Sequence, residues 1–192
     1  MTKKSRTVLQ IVVAALAVIL IASALLWRRK PAGFEPELLN RAIDKGGGIT
    51  ELIKVKLFYL SETSGYLRPV FREIEVPEAR EELYKKFVSL LLAGDGSHIT
   101  PAPSGTQLRS LYYLGSREMA VLDFNELLSS SFPGGTRAEL EFIYFIVDNL
   151  CYNFQEIKRV KFLIGGNESK TLAGHIDLEK PFYPDFAWLK DE

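Results

Sequence analysis

The chain has 192 residues, 47% of them hydrophobic and 25% charged, and carries no low-complexity tract, so wholesale disorder is excluded and one compact domain is expected. Its net charge of zero hides an uneven distribution: residues 1–30 hold six basic and no acidic side chains, leaving residues 31–192 with 18 basic against 24 acidic. An acidic domain with no basic stripe is a poor fit to DNA or RNA, whose affinity comes largely from neutralised phosphates, so nucleic acid is not an expected partner.

Residues 1–7 form a short basic tail. Residues 8–27 follow, twenty positions broken only by Gln10 and Ser23, which is the length a helix needs to cross the hydrocarbon core. Trp27 with Arg28, Arg29 and Lys30 would sit at the headgroups as an interfacial anchor. The small residues Ala22, Ser23 and Ala24 have the spacing of a signal-peptidase site, yet the apolar run continues past them, and an uncleaved signal anchor is the preferred reading. With three basic residues on each flank, charge alone does not set its orientation. The single cysteine, Cys151, lies far from this segment, which excludes N-terminal acylation, an internal disulfide and a cysteine-based zinc site; on the apolar face of a predicted helix it reads as a small buried hydrophobe.

Residues 28–49 read as a juxtamembrane stem, with Phe34 and Pro36, a short helix at 37–44 and a break at Gly46, Gly47 and Gly48. The domain is expected over residues 50–180. In 52–60, Ile53, Val55, Leu57 and Tyr59 alternate at the strand period, and a second run, 69–76, follows the turn residue Gly65. Pro77 and Glu78 open a helix reaching Ala93, with Leu83, Phe87, Leu90 and Leu91 as its apolar stripe and Gly94 as its stop. A long loop, 94–105, leads to two strand-like runs, 106–114 and 117–124, joined at Gly115 and Ser116 as a hairpin. Thr136 and Glu139 have the spacing of a capping box, and Leu140, Ile143, Tyr144, Val147, Leu150, Cys151 and Phe154 mark the buried stripe of a second helix. Val160, Phe162 and Ile164 form a last strand. The tail, 181–192, carries Phe182, Tyr183, Pro184, Phe186 and Trp188, residues that either pack back on the domain or reach a partner. Apart from the extra strand at 69–76 the order is β-α-β-β-α-β, so an α+β class and a two-layer sandwich, with both helices on one sheet face, are expected.

Several phrases in this order resemble the GerMN domain of bacterial sporulation and spore-germination proteins. They are the strand 55–59, the helix end 90–94, Pro103-Ser104-Gly105-Thr106, Val121-Leu122-Asp123-Phe124-Asn125, the helix core 143–150, and 171–178, Thr-Leu-Ala-Gly-His-Ile-Asp-Leu, in which Ala173 stands where many relatives carry a second glycine. The resemblance spans about 52–180. It implies a non-catalytic envelope module held outside the cytoplasm by a lipid or membrane helix, here on the outer face of the cytoplasmic membrane, and one that packs against copies of itself or other envelope proteins. A role in sporulation, germination or envelope assembly goes with it.

Catalytic candidates are few. His175 and Asp177 stand two apart, so on an extended segment they would face the same way and could form an acid–base pair or half a metal site; a structural role with Gly174 in a local turn is the favoured alternative. Asp123, at a strand end, reads as a cap for a turn or for the following loop. Ser97 and His98 lack both the nucleophile-elbow and the phosphate-loop pattern, and two histidines with one cysteine leave any transition-metal site dependent on carboxylates. No cofactor and no metal are expected. The leading reading is an envelope protein-binding or scaffold module with Gly174, His175 and Asp177 as candidate binding residues. The competing one is a small hydrolase using His175 and Asp177, with Asp123 as a further carboxylate.

Overall fold

The computed structural model describes residues 52–61, 64–94, 98 and 100–190. The apolar stretch 8–27, the stem 28–49 and Ser97 lie outside them, and among the described residues no helix is long and apolar enough to cross a membrane.

Strand β1, Leu52–Leu60, pairs antiparallel with β2, Leu67–Glu75, with Lys56 opposite Phe71 and Phe58 opposite Pro69. Ile53, Val55, Leu57 and Tyr59 are buried, as their alternation predicts. Strand β2 starts two residues before Pro69, and the proline costs the ladder nothing. Phe58 turns its N–H and C=O away from β2, so the position opposite it is a non-hydrogen-bonded one and Pro69 directs its bare nitrogen to the outer edge. Helix α1, Arg80–Ala93, begins three residues later than Pro77 suggests: Ala79 is still extended, and Glu81 and Glu82 occupy the first turn. Gly94, at φ 63, ends it in a conformation that a side chain would strain.

The remaining strands are β3, Leu108–Leu114, β4, Met119–Phe124, and β5, Arg159–Ile164. The first two make the expected antiparallel hairpin, turned by a short 3-10 segment, Gly115–Arg117, and a left-handed Glu118. The third runs parallel to β4, giving the order β3-β4-β5. Helix α2, Leu127–Ser130, is a single turn that buries Leu128. Helix α3, Thr136–Asn153, connects it to β5.

The class is mixed α+β, but the single sheet of the expected two-layer sandwich is divided into a two-stranded and a three-stranded sheet. The cause is visible on α3. Asn149 and Asn153, one helical turn apart, offer their side-chain amides to the edge of β1 that faces away from β2. Asn149 Oδ1 accepts from the Phe58 N–H at 2.8 Å and its Nδ2 donates to the Phe58 carbonyl at 2.8 Å; Asn153 does the same to Lys56 at 3.1 and 2.8 Å. Two amides thus satisfy four backbone groups that a further strand would otherwise pair. This edge of β1 is closed by a helix.

Helix α3 is consequently not a one-stripe helix. From Phe142 to Cys151 all but Tyr144 are buried, and the same helix packs Phe142 against Phe124 and Phe162 of the larger sheet. Its remaining face is covered by the aromatic tail, which packs back as a strap. Phe182 exchanges two backbone hydrogen bonds of 2.8 Å with Val160 on β5, Trp188 stacks on Tyr144 at 5.6 Å, and Lys190 donates its N–H to the Leu67 carbonyl of β2. Cys151 is 8% exposed, and burial pushes its thiol up to about 12. At pH 8 it should react with a thiol reagent at least about a hundredfold more slowly in the native chain than in denaturant, since the thiolate is the reactive form; stopped-flow labelling reads this directly.

Candidate functional site

The segment 167–179, which carries Gly174, His175 and Asp177, has little regular structure, so its shape depends on what grips its backbone. Glu139 supplies one grip. It was expected to close a capping box with Thr136, but Gly135 is the N-cap and Thr136 the first helical residue, which makes Glu139 the fourth and puts it one position beyond the reach of that motif. Its carboxylate, 0% exposed, turns to the loop: Oε2 accepts from the Ile176 N–H at 2.9 Å, and Oε1 accepts from the His175 N–H at 3.2 Å and meets His175 Nδ1 at 2.7 Å. Burial raises the pKa of this acid, but the N–H of Ile176, the His175 ring and the N–H groups of Ala173 and His175 outweigh it and hold the carboxyl below its ordinary value.

The opposite charge supplies the second grip. Lys161 on β5, nearly buried, donates from Nζ to the carbonyls of Leu178 at 3.1 Å and Glu179 at 2.7 Å and faces Glu168 at 3.3 Å. Ser129 Oγ donates to the Leu172 carbonyl at 2.7 Å, and Leu172 and Leu178 are buried as apolar pegs. A buried carboxylate therefore holds N–H groups while a buried ammonium holds C=O groups, which is the pairing each charge favours.

His175 and Asp177 do not converge. The His175 partner is Glu139, whereas Asp177 Oδ1 accepts from the Glu179 N–H at 2.8 Å in a local turn. Gly174, at φ 111, lets the loop reverse, and its N–H is held by Thr171 Oγ1 at 3.0 Å. Gly174, His175 and Asp177 are all exposed, the His175 side chain by 46%. Asp123 caps a turn, though not one at its own strand end: parallel pairing of β4 with β5 brings it to the turn after β5, where Oδ1 accepts from the Gly166 N–H at 2.7 Å and Oδ2 lies 3.4 Å from Arg109. The His98 ring stacks on Tyr59 at 5.5 Å. Among the described residues there is no group of three or more His, Cys, Asp or Glu that could hold a metal ion.

The residues that sequence reasoning passed over are the polar ones bedded in the apolar face of α3. Asp148 is one of them. It is fully buried, Oδ1 accepts the Asp185 N–H of the strap at 2.9 Å, and Oδ2 has no partner among the described residues; burial, set against that one hydrogen bond and reinforced by the Asp185 charge, raises its pKa to about 7. Their signal in the sequence was position: Asp148, Asn149 and Asn153 interrupt a run that otherwise reads as core.

Two small sheets around a nearly enveloped helix, with a loop fastened by buried charges, define a compact mixed α+β domain. Residues 56–170 match the family model "Germane: Sporulation and spore germination", and the chain belongs to that family. Similar solved structures are the tandem GerMN domains of the sporulation protein GerM from Bacillus subtilis, at 19% identity and a TM-score of 0.51, where the match covers 68% of this chain and 45% of that one. The first GerMN domain of the same protein is 16% identical with a TM-score of 0.50 over 67% of this chain and 94% of that domain. A candidate lipoprotein from Clostridium perfringens is 19% identical with a TM-score of 0.49, covering 69% and 87%. No curated protein matches. At these identities the two GerMN structures establish the fold alone.

Proposed function

We propose that this chain is a non-catalytic docking module of the bacterial envelope, held on the outer face of the cytoplasmic membrane by residues 8–27 and serving sporulation, germination or envelope assembly through protein partners or further copies of itself. The family link to sporulation and germination supports the process, and the apolar stretch with its basic flanks supports the anchor. The observation that carries the reading is the fastening of loop 167–179. Glu139 and Lys161 grip its backbone, so Gly174, His175 and Asp177 are displayed at a rigid, exposed tip, the preorganised arrangement that lowers the entropy cost of binding.

The hydrolase reading has one observation in its favour, the 2.7 Å contact that orients the His175 ring on a carboxylate. Among the described residues, however, no hydroxyl or thiol meets that ring, and the carboxylate involved also holds two backbone N–H groups. The two readings separate under one double substitution. His175→Ala with Asp177→Ala should leave the chain folded, its thermal midpoint lowered by a few degrees because Glu139 loses the His175 ring and the Glu179 N–H loses its acceptor, while recovery of cross-linked partners from membranes carrying the chain falls by about tenfold. Unchanged recovery would remove the loop tip from the binding surface, and loss of a measurable hydrolase activity without loss of partners would favour the enzyme.

A further inference from the structure

A concave feature lies where the chain entering β2, the first turn of α3 and the end of the strap meet. Its volume is about 480 Å³, and Ser64, Gly65, Tyr66, Arg137, Trp188 and Lys190 line it. That size suits a small ligand. We propose that this cleft binds a small oxyanion carried on a flat ring or a sugar.

The cationic groups come from distant parts of the chain and each is positioned. Arg137 is anchored through Nε to Glu141 at 2.7 Å, which fixes the plane of its guanidinium. The guanidinium lies directly against the turn backbone, because residue 65 is a glycine at φ 70; a Cβ there would overlap Arg137 Nη2. Lys190 is fixed by its own N–H on the Leu67 carbonyl, and its ammonium sits 4.7 Å from the centre of the Tyr66 ring. Trp188 is held flat by Tyr144, at an interplanar angle of 18°. A guanidinium and an ammonium give two fixed positive donors for the oxygens of a phosphate or carboxylate, and the aromatic walls suit a ring or the C–H face of a sugar. The strap contributes Trp188 and Lys190, so the cleft exists only while the strap is docked on α3 and β2.

The test uses the full chain in detergent with Trp27→Phe, which leaves Trp188 as its one indole. Its fluorescence is titrated at constant ionic strength with phenyl phosphate, glucose 1-phosphate, benzoate, inorganic phosphate and phenol. A ring-borne or sugar-borne oxyanion should give a saturable change with a dissociation constant at least about tenfold below that of inorganic phosphate, and phenol none over the same range. Among the ring-borne anions, the ranking of phenyl phosphate against benzoate tells phosphate from carboxylate, and that against glucose 1-phosphate tells an aromatic body from a sugar. Arg137→Gln and Lys190→Gln should each weaken binding about tenfold with the thermal midpoint unchanged, because both side chains are on the surface. The charge reversal Lys190→Glu should abolish it. A signal that fails to saturate up to about 20 mM, or one that all three variants retain, overturns the proposal.

Discussion

Replacing Asn149 and Asn153 together with leucine should lower the unfolding free energy by about 4 kcal/mol, because four buried backbone groups on Lys56 and Phe58 lose their partners and each unpaired group costs about 1–3 kcal/mol. Either single substitution should cost about half as much. Denaturant unfolding gives the energy. Amide exchange identifies the mechanism: protection should fall first at Lys56 and Phe58, while the amides of β1 that face β2 keep theirs. The amides also bond back to their own helix, Asn149 to the Phe145 carbonyl and Asn153 to the Asn149 carbonyl, so each side chain is held from both sides. If the double variant were as stable as the parent, the division of the sheet would need another cause.

The second large effect is in pH. Helix α3 carries two buried acids that titrate in opposite directions. For Asp148 the native carboxyl is raised from 3.8 to about 7, so between these values the folded state binds more protons than the unfolded one and this group's contribution falls as pH rises, reaching its full penalty above about 7. Asp148→Asn should remove that fall and stabilise the domain at pH 8 by roughly 2 kcal/mol, against an upper bound of about 4 kcal/mol for the full rise from 3.8 to about 7. For Glu139 the native pKa lies below the ordinary 4.5, so its contribution is fully present above that value and is lost as pH falls through the folded pKa. Glu139→Gln should therefore destabilise at neutral pH and erase the added acid sensitivity that sets in as pH falls below 4.5. Thermal melts of the parent and both variants from pH 3 to 8 separate the two slopes.

Much of the core was legible from periodicity alone. The buried face of β1, the α1 residues Leu83, Phe87 and Leu91, the β3-β4 hairpin and the strand at Val160 follow from hydrophobic spacing, which local geometry fixes. What spacing misses are bonds between a side chain and distant backbone. The partners that close β1 lie 91 and 97 residues away and are amides, so an outline built on strand count assigns β1 to the larger sheet. Thr136 and Glu139 illustrate the same limit at short range: the separation was right for a capping box, but the helix starts at Thr136, which frees the carboxylate for a loop 36 residues on. The candidate loop was legible as a phrase and its rigidity was not, because Lys161 and Glu139 stand outside it.

The most direct measurement for the docking account is photo-crosslinking in the membranes of cells that carry the chain, with a photoreactive residue at position 173, which leaves His175 and Asp177 in place, and, as a control, at Glu73 on the outer side of the β1-β2 hairpin. The account predicts a discrete adduct from position 173, weakened when Glu139→Gln loosens the loop, and little from position 73. Equal, diffuse labelling from both positions would contradict it.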